Sequence, residues 1–130
     1  MAILDHVEFA VSDSAVSCKF YEAALQPLGI GLVVSVDASK TGKGARHGLG
    51  VNGYPTLWIH DGAQASQGLH VAFSAATRAL VDAFWNAALA SGGVDNGAPG
   101  IRTRYHDHYY AAYVLDPDGV NVEVVCQAQP

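Results

Sequence analysis

Residues 6–25 read HVEFAVSDSAVSCKFYEAAL, and residues 70–89 read HVAFSAATRALVDAFWNAAL. The two stretches align without a gap at an offset of 64, with eight identical positions and Tyr21 set against Trp85 as a similar ninth pair. The chain has 130 residues, so this offset divides it into two near-equal modules, about 1–65 and about 66–130. Self-similarity at a fixed offset marks one supersecondary unit used twice, here within a single domain spanning 1–130.

Each repeat predicts a strand followed by a helix. From Ile3 to Val11, Val7, Phe9 and Val11 fall on one strand face and His6, Glu8 and Ala10 on the other. Ser12, Asp13 and Ser14 supply N-cap chemistry for a helix whose apolar stripe is Val16, Phe20 and Ala23 or Ala24. Pro27 and Gly29 end it. In the second repeat Leu69, Val71 and Phe73 oppose His70 and Ala72. Thr77 caps a helix with the stripe Val81, Phe84, Trp85, Ala88 and Leu89, stopped by Gly92 and Gly93. Short strands follow each helix, at about 30–37, 46–52 and 55–60, and again at about 99–105, 109–115 and 120–126. Asp116-Pro117-Asp118-Gly119 forms the turn between the last two. The expected class is α+β, two strand–helix–strand–strand–strand modules. Each helix covers one sheet face, and the other face is free to line a cavity shared by the modules.

Composition narrows the function. Half of the residues are hydrophobic and 15% are charged, which excludes an intrinsically disordered chain. No apolar run is long enough to span a bilayer, and the first residues carry no signal-peptide pattern. A net charge of −5 with seven Lys and Arg excludes nucleic acid as a bulk partner. Two cysteines, Cys18 and Cys126, form no disulfide framework and fit a reducing cytosol. The Gly-rich stretch 42–53 has no phosphate-loop pattern. The basic residues gather in two places, Lys40, Lys43 and Arg46 in one and Arg102 and Arg104 in the other. Each is either a solvated loop or a holder for a small anion.

Strand phase also selects the polar residues of the uncovered face. On the last strand Val122 and Val124 take the helix side, leaving Asn121, Glu123 and Val125 opposite. His6 and His70 occupy equivalent repeat positions, so three strands offer His6, His70 and Glu123 to one concave surface. Two imidazoles and a carboxylate suit a divalent transition metal such as Fe, Mn, Ni or Zn. The same three also read as polar residues of a wet pocket without metal.

With these motifs in place the sequence resembles the vicinal oxygen chelate superfamily, also called the glyoxalase/bleomycin-resistance/dioxygenase family. The resemblance covers essentially the whole chain. It rests on Leu4-Asp5-His6-Val7, on Phe20-Tyr21, on Leu69-His70-Val71-Ala72-Phe73, and on Asp116-Pro117-Asp118-Gly119-Val120-Asn121-Val122-Glu123. It implies paired βαβββ modules forming a half-open barrel of mixed sheets around a central cavity, with His6, His70 and Glu123 as metal ligands, and a homodimer. Glyoxalase I members add an acidic ligand on the last strand of module 1. Here that strand reads Thr56-Leu57-Trp58-Ile59-His60, and the offset of 64 sets Ile59 against Glu123, so the carboxylate is missing. His60 fills that place only if the strand shifts by one residue. Two His and one Glu match the facial triad of the dioxygenase branch and of others.

Arg104-Tyr105-His106-Asp107-His108-Tyr109-Tyr110 packs five rings into seven residues. It reads either as a polar hairpin loop or as a pocket rim that stacks on a planar substrate. On the second reading Tyr113, His106 and Tyr109 are the candidates for acid–base work, and Trp58, Arg104, Tyr105 and Tyr110 for substrate contact. The expected function is a metal-dependent lyase, isomerase or dioxygenase acting on a small anionic or aromatic substrate held through vicinal oxygens. The alternative is a metal-free binding protein of the bleomycin-resistance type.

Overall fold

The computed structural model describes residues 3–42, 44–62, 64–65 and 67–130. Lys43 of the first basic stretch lies outside the described residues. Module 1 consists of β1 (Val7–Val11), α1 (Ser14–Leu25), β2 (Gly31–Val36), α2 (Ala38–Thr41), β3 (Arg46–Val51) and β4 (Tyr54–Asp61). Module 2 consists of β5 (His70–Ser74), α3 (Arg78–Ala90), β6 (Val94–Ile101), β7 (Tyr110–Leu115) and β8 (Asn121–Cys126). Each module builds a four-stranded mixed sheet, ordered β1-β4-β3-β2 and β5-β8-β7-β6. In each, the first strand runs parallel to the last, and the remaining pairs are antiparallel. The fold is α+β with two similar halves, and the sheets are curved but do not close into a barrel.

Local chemistry explains the helices. Asp13 caps α1 by accepting the Ala15 and Val16 amides, and Thr77 caps α3 by accepting the Leu80 amide. Gly29, at φ 76°, closes the 3₁₀ turn Gln26–Leu28 that follows α1. The stripe of α3 is as predicted, with Val81, Phe84 and Ala88 buried and Trp85 and Leu89 packed beside them. That of α1 is rotated. Phe20, Tyr21, Ala24 and Leu25 are buried, while Val16 is 51% exposed. Tyr21 draws the helix inward, because its ring packs edge-on against Phe9 and Phe20.

One apolar core joins the modules. It holds Phe9 and Val11 of β1, Leu57 and Ile59 of β4, Val122 and Val124 of β8, and the inner faces of α1 and α3, which pack on each other. Two polar ties reinforce the joint. The Tyr21 hydroxyl donates to the Asp116 carboxylate. Ser12 donates its amide (3.0 Å) and hydroxyl (2.5 Å) to Asp118.

Two sequence expectations need correction. The strand expected at 99–105 is Val94–Ile101, and 102–109 is a loop. Asp95, Asn96, Gly97 and Pro99 read as turn residues, yet pairing with β7 holds them in the ladder at the cost of two register shifts. The second concerns the missing carboxylate. The first strands correspond at 64 residues, Val7 with Val71, but the last at 65, Leu57 with Val122. Trp58, opposite Glu8, therefore holds the place that Glu123 holds opposite Ala72. Ile59 is a core residue with no exposure.

Asn52 (φ 52°) and Gly53 (φ 76°) make the hairpin between β3 and β4. Beside it Gly50 is a close approach, because a Cβ there would stand 1.8 Å from the Tyr54 carbonyl oxygen. Gly50→Ala is expected to destabilise the protein by about 2–3 kcal/mol through forced displacement of the hairpin. The denaturation midpoint would show it.

Candidate functional site

Alternation along the strands leaves one open face on each sheet. On the second sheet this face carries His70, Glu123, Val125, Ala111 and Tyr113. Glu123 is only 3% exposed. Its Oε1 lies 2.9 Å from His70 Nε2, and its Oε2 accepts the Tyr109 hydroxyl at 2.5 Å. His70 Nδ1 lies 3.0 Å from the Asn121 carbonyl oxygen, so both ring nitrogens face oxygen acceptors. A buried carboxylate hydrogen-bonded to an imidazole becomes a donor pair for a cation when the proton between them is displaced.

Tyr113 pairs with Glu123 across β7 and β8, and its ring stacks with that of His70 at 6.3 Å. Its hydroxyl is shielded from solvent and makes no well-formed hydrogen bond among the described residues, although Glu123 acts on it. Burial, then the Glu123 charge, pushes the Tyr113 phenol above its usual range. Burial, then the hydrogen bond to Glu123, does the same for Tyr109. Both therefore remain hydrogen-bond donors at neutral pH. The Arg102 guanidinium lies 5.3 Å from the centre of the Tyr113 ring and donates to the Ala98 carbonyl at 2.6 Å. Among the described residues no carboxylate comes within ion-pair distance of Arg102.

The other rim candidates divide. Tyr105 lies 4.7 Å from Tyr109, ring centre to ring centre, and Arg104 covers the outer side of Tyr105. His106 meets Tyr109 edge-on at 5.6 Å, and its Nε2 lies 2.9 Å from Gln127 Oε1, one layer away from Glu123. Tyr110 belongs to the opposite strand phase. It packs on the helix side, donates to Asp82 on α3 at 2.6 Å and lies under Arg78, so it is outside this face.

His6 stands apart from His70 and Glu123. It precedes β1 and is half-exposed, with Nδ1 2.7 Å from Asp5 Oδ1. Tyr54 also donates to Asp5, and this bond, then that of His6, holds the Asp5 carboxyl below its usual range. An acceptor thus lies at Nδ1 of the His6 ring. Asp5 was legible as the neighbour of His6, but Tyr54 gave no signal in the sequence. Among the described residues no three His, Cys, Asp or Glu side chains gather into one metal site.

The open face of the first sheet carries a separate cleft of about 620 Å³, lined by Glu8, Thr41, Gly44, Arg46, His60 and Asp61. All six lie in module 1, so this cleft is not shared between the modules. Arg46 donates to both oxygens of Glu8, at 3.0 and 3.2 Å, and stacks 4.2 Å from the centre of the Trp58 ring. Asp61 accepts the Ser14 amide at 2.7 Å and the Ala45 amide at 3.1 Å, tying the loop before β3 to the start of α1. The Ser14 bond is the chief cause of a carboxyl pKa below the usual range. A lowered folded-state pKa gives stability that is present above the unfolded value and lost as pH falls through the folded one. Asp61→Asn is therefore expected to flatten the acid side of a melting-temperature profile, between about pH 5 and pH 3.

Two curved sheets with covered inner faces, and a His–Glu donor pair on an open one, define a paired-module protein of the vicinal-chelate class. The model of the Glyoxalase/Bleomycin resistance protein/Dioxygenase superfamily matches residues 3–124, and the chain belongs to that superfamily. A glyoxalase/bleomycin resistance protein from Albidiferax ferrireducens T118 is 31% identical, with 99% of this chain and 100% of that one covered and a TM-score of 0.80. A glutamate-to-glutamine mutant of glyoxalase I from Zea mays is 26% identical at a TM-score of 0.72, over 94% of this chain and 46% of that one. A glutamate-to-glutamine mutant of the fosfomycin resistance protein FosX from Listeria monocytogenes shares the fold, at 17% identity and a TM-score of 0.68 over 99% and 92% of the chains. No curated protein matches the sequence.

Proposed function

We propose that this protein is a metal-dependent enzyme, a lyase, isomerase or dioxygenase acting on a small anionic substrate that presents two adjacent oxygens. The observation that carries the reading is the state of the two histidines. Each has Nδ1 held by a fixed oxygen, Asp5 for His6 and the Asn121 carbonyl for His70. That leaves Nε2 of His6 to serve as a ligand, and Nε2 of His70 to share a cation with Glu123 once the proton between them is displaced. His70 and Glu123 already converge, and His6 faces outward. The centre is therefore completed by His6 of a second copy, in a homodimer.

His6, His70 and Glu123 offer two nitrogens and one oxygen, which suit Fe, Mn, Ni or Zn. A divalent ion held there would polarise two vicinal oxygens of the substrate as a Lewis acid. Tyr109 anchors the second Glu123 oxygen. Tyr113 offers its hydroxyl to the substrate, and Arg102 supplies a positive charge for an anionic group. Tyr105 and Arg104 form the rim, with His106 behind Tyr109, and Trp58 lines the opposing sheet. Both cysteines are free and buried, which suits the reducing cytosol proposed for the chain. No helix among the described residues is long and apolar enough to cross a membrane.

Metal analysis of protein purified without chelator or affinity-tag metal tests the reading, beside a His6→Ala/His70→Ala double variant. About one equivalent of a transition metal per chain is expected in the wild type and none in the double variant. No metal in the wild type, and none taken up on titration, overturns it. The metal-free binding protein would then stand.

A further inference from the structure

The cleft of the first sheet holds a second arrangement of acid–base groups, distinct from the His70–Glu123 pair. His60 reaches into it from β4, with Nδ1 2.9 Å from Glu8 Oε2. That nitrogen is shielded from solvent, while the side chain as a whole is 36% exposed. The exposed part of the ring therefore lies away from Nδ1. The Glu8 carboxylate is in turn fixed by the two-pronged contact from Arg46, and Arg46 is fixed by the Trp58 ring. The charged groups facing His60 are Glu8, Arg46 and Asp61. Asp61 is already committed to two backbone amides.

We propose that His60 is a proton-transfer group for a substrate seated in this cleft, with Glu8 and Arg46 as positioning residues. An imidazole whose Nδ1 faces a held carboxylate keeps its Nε2 lone pair for the substrate, which is the logic of an oriented general base. In the step, Nε2 takes a proton from an acidic C–H or O–H of the substrate, and the electron pair of the broken bond stays on the substrate. The imidazolium faces Glu8 through its Nδ1 proton, and Nε2 later returns its proton to the substrate. The balance closes without any other reactant. The ring's N–H axis does not yet align on Glu8, as is common in such pairs before substrate binds. Glu8 lies two residues beyond His6 on the same strand face, so the dyad serves the same substrate as the proposed metal centre. It rests on that reading only in this placement.

Two measurements on metal-free protein test the proposal independently of the metal. Diethyl pyrocarbonate, applied at neutral pH with peptide mapping by mass spectrometry, reports which imidazole nitrogens are free and nucleophilic. His60 is expected to react faster than the loop residues His106 and His108, and Glu8→Gln is expected to slow it about tenfold, the scale on which carboxylate partners tune an imidazole. A long-range proton–nitrogen correlation spectrum of the wild type, assigned with His60→Gln, is expected to show Nδ1 protonated and Nε2 bare. Unexceptional reactivity, no effect of Glu8→Gln in a folded variant, or an Nε2-protonated His60 would each overturn the assignment. Metal loss in the double variant leaves these readouts unchanged, so the two proposals fail separately.

Discussion

Neither His6→Ala nor Glu123→Gln protein is expected to hold metal alone, whereas an equal mixture of the two, unfolded and refolded together, regains it. His6 lies apart from His70 and Glu123 within one chain, so on the proposed reading a complete centre would take His6 from one copy and the other two ligands from its partner. A mixed dimer then has one intact centre and one that lacks both His6 and Glu123. Random pairing gives mixed dimers half of the time, so metal content returns to about a quarter of the wild-type value. Each single variant should lose at least about 100-fold in affinity, since removing a ligand costs more than removing its outer partner. Recovery after mixing separates a shared centre from one closed within a single chain, which mixing would leave empty. It also explains why Asp5 and Tyr54 matter. They hold the exposed His6 ring in place, and on the proposed reading Asp5→Ala should weaken metal binding without unfolding the protein.

Asp116→Ala is expected to be the most destabilising of the single substitutions considered for the fold. Asp116 is 4% exposed and accepts the amides of Asp118 at 2.8 Å and Val120 at 2.9 Å as well as the Tyr21 hydroxyl. Alanine leaves three donors without that acceptor, with the Tyr21 phenol almost fully buried. Each unsatisfied buried donor costs about 1–3 kcal/mol, so a loss of about 3 kcal/mol or more is expected. For a domain of this size that corresponds to a melting temperature lower by about 10 °C. Tyr21→Phe removes one bond and keeps the turn, so about 1–2 kcal/mol is expected there. Calorimetry of the two variants checks the order. Equal losses would mean that the tie between modules, rather than the turn, carries the cost.

The sequence determined the repeat and the phase of its strands. Histidine at 6 and 70, alternation along β1 and β8, and cap residues before both helices act over a few residues, and local sterics and hydrogen bonds settle them. That phase puts Glu123 and His70 on one face, whereas Tyr113 comes opposite Glu123 only through the β7–β8 register. Three things were decided by tertiary structure. One extra residue in module 2 moves the last strands to a spacing of 65, which put Trp58 where Ile59 was expected. The strand at 94–101 forms from turn-like residues because β7 offers an edge to pair with. The separation of His6 from its partners arises because α1 and α3 pack on each other inside one core, which commits the inner faces of both sheets to that core. Nothing local encodes which way two curved sheets turn their open faces. That is set by the area the helices bury together, a property of the whole chain rather than of any stretch of it.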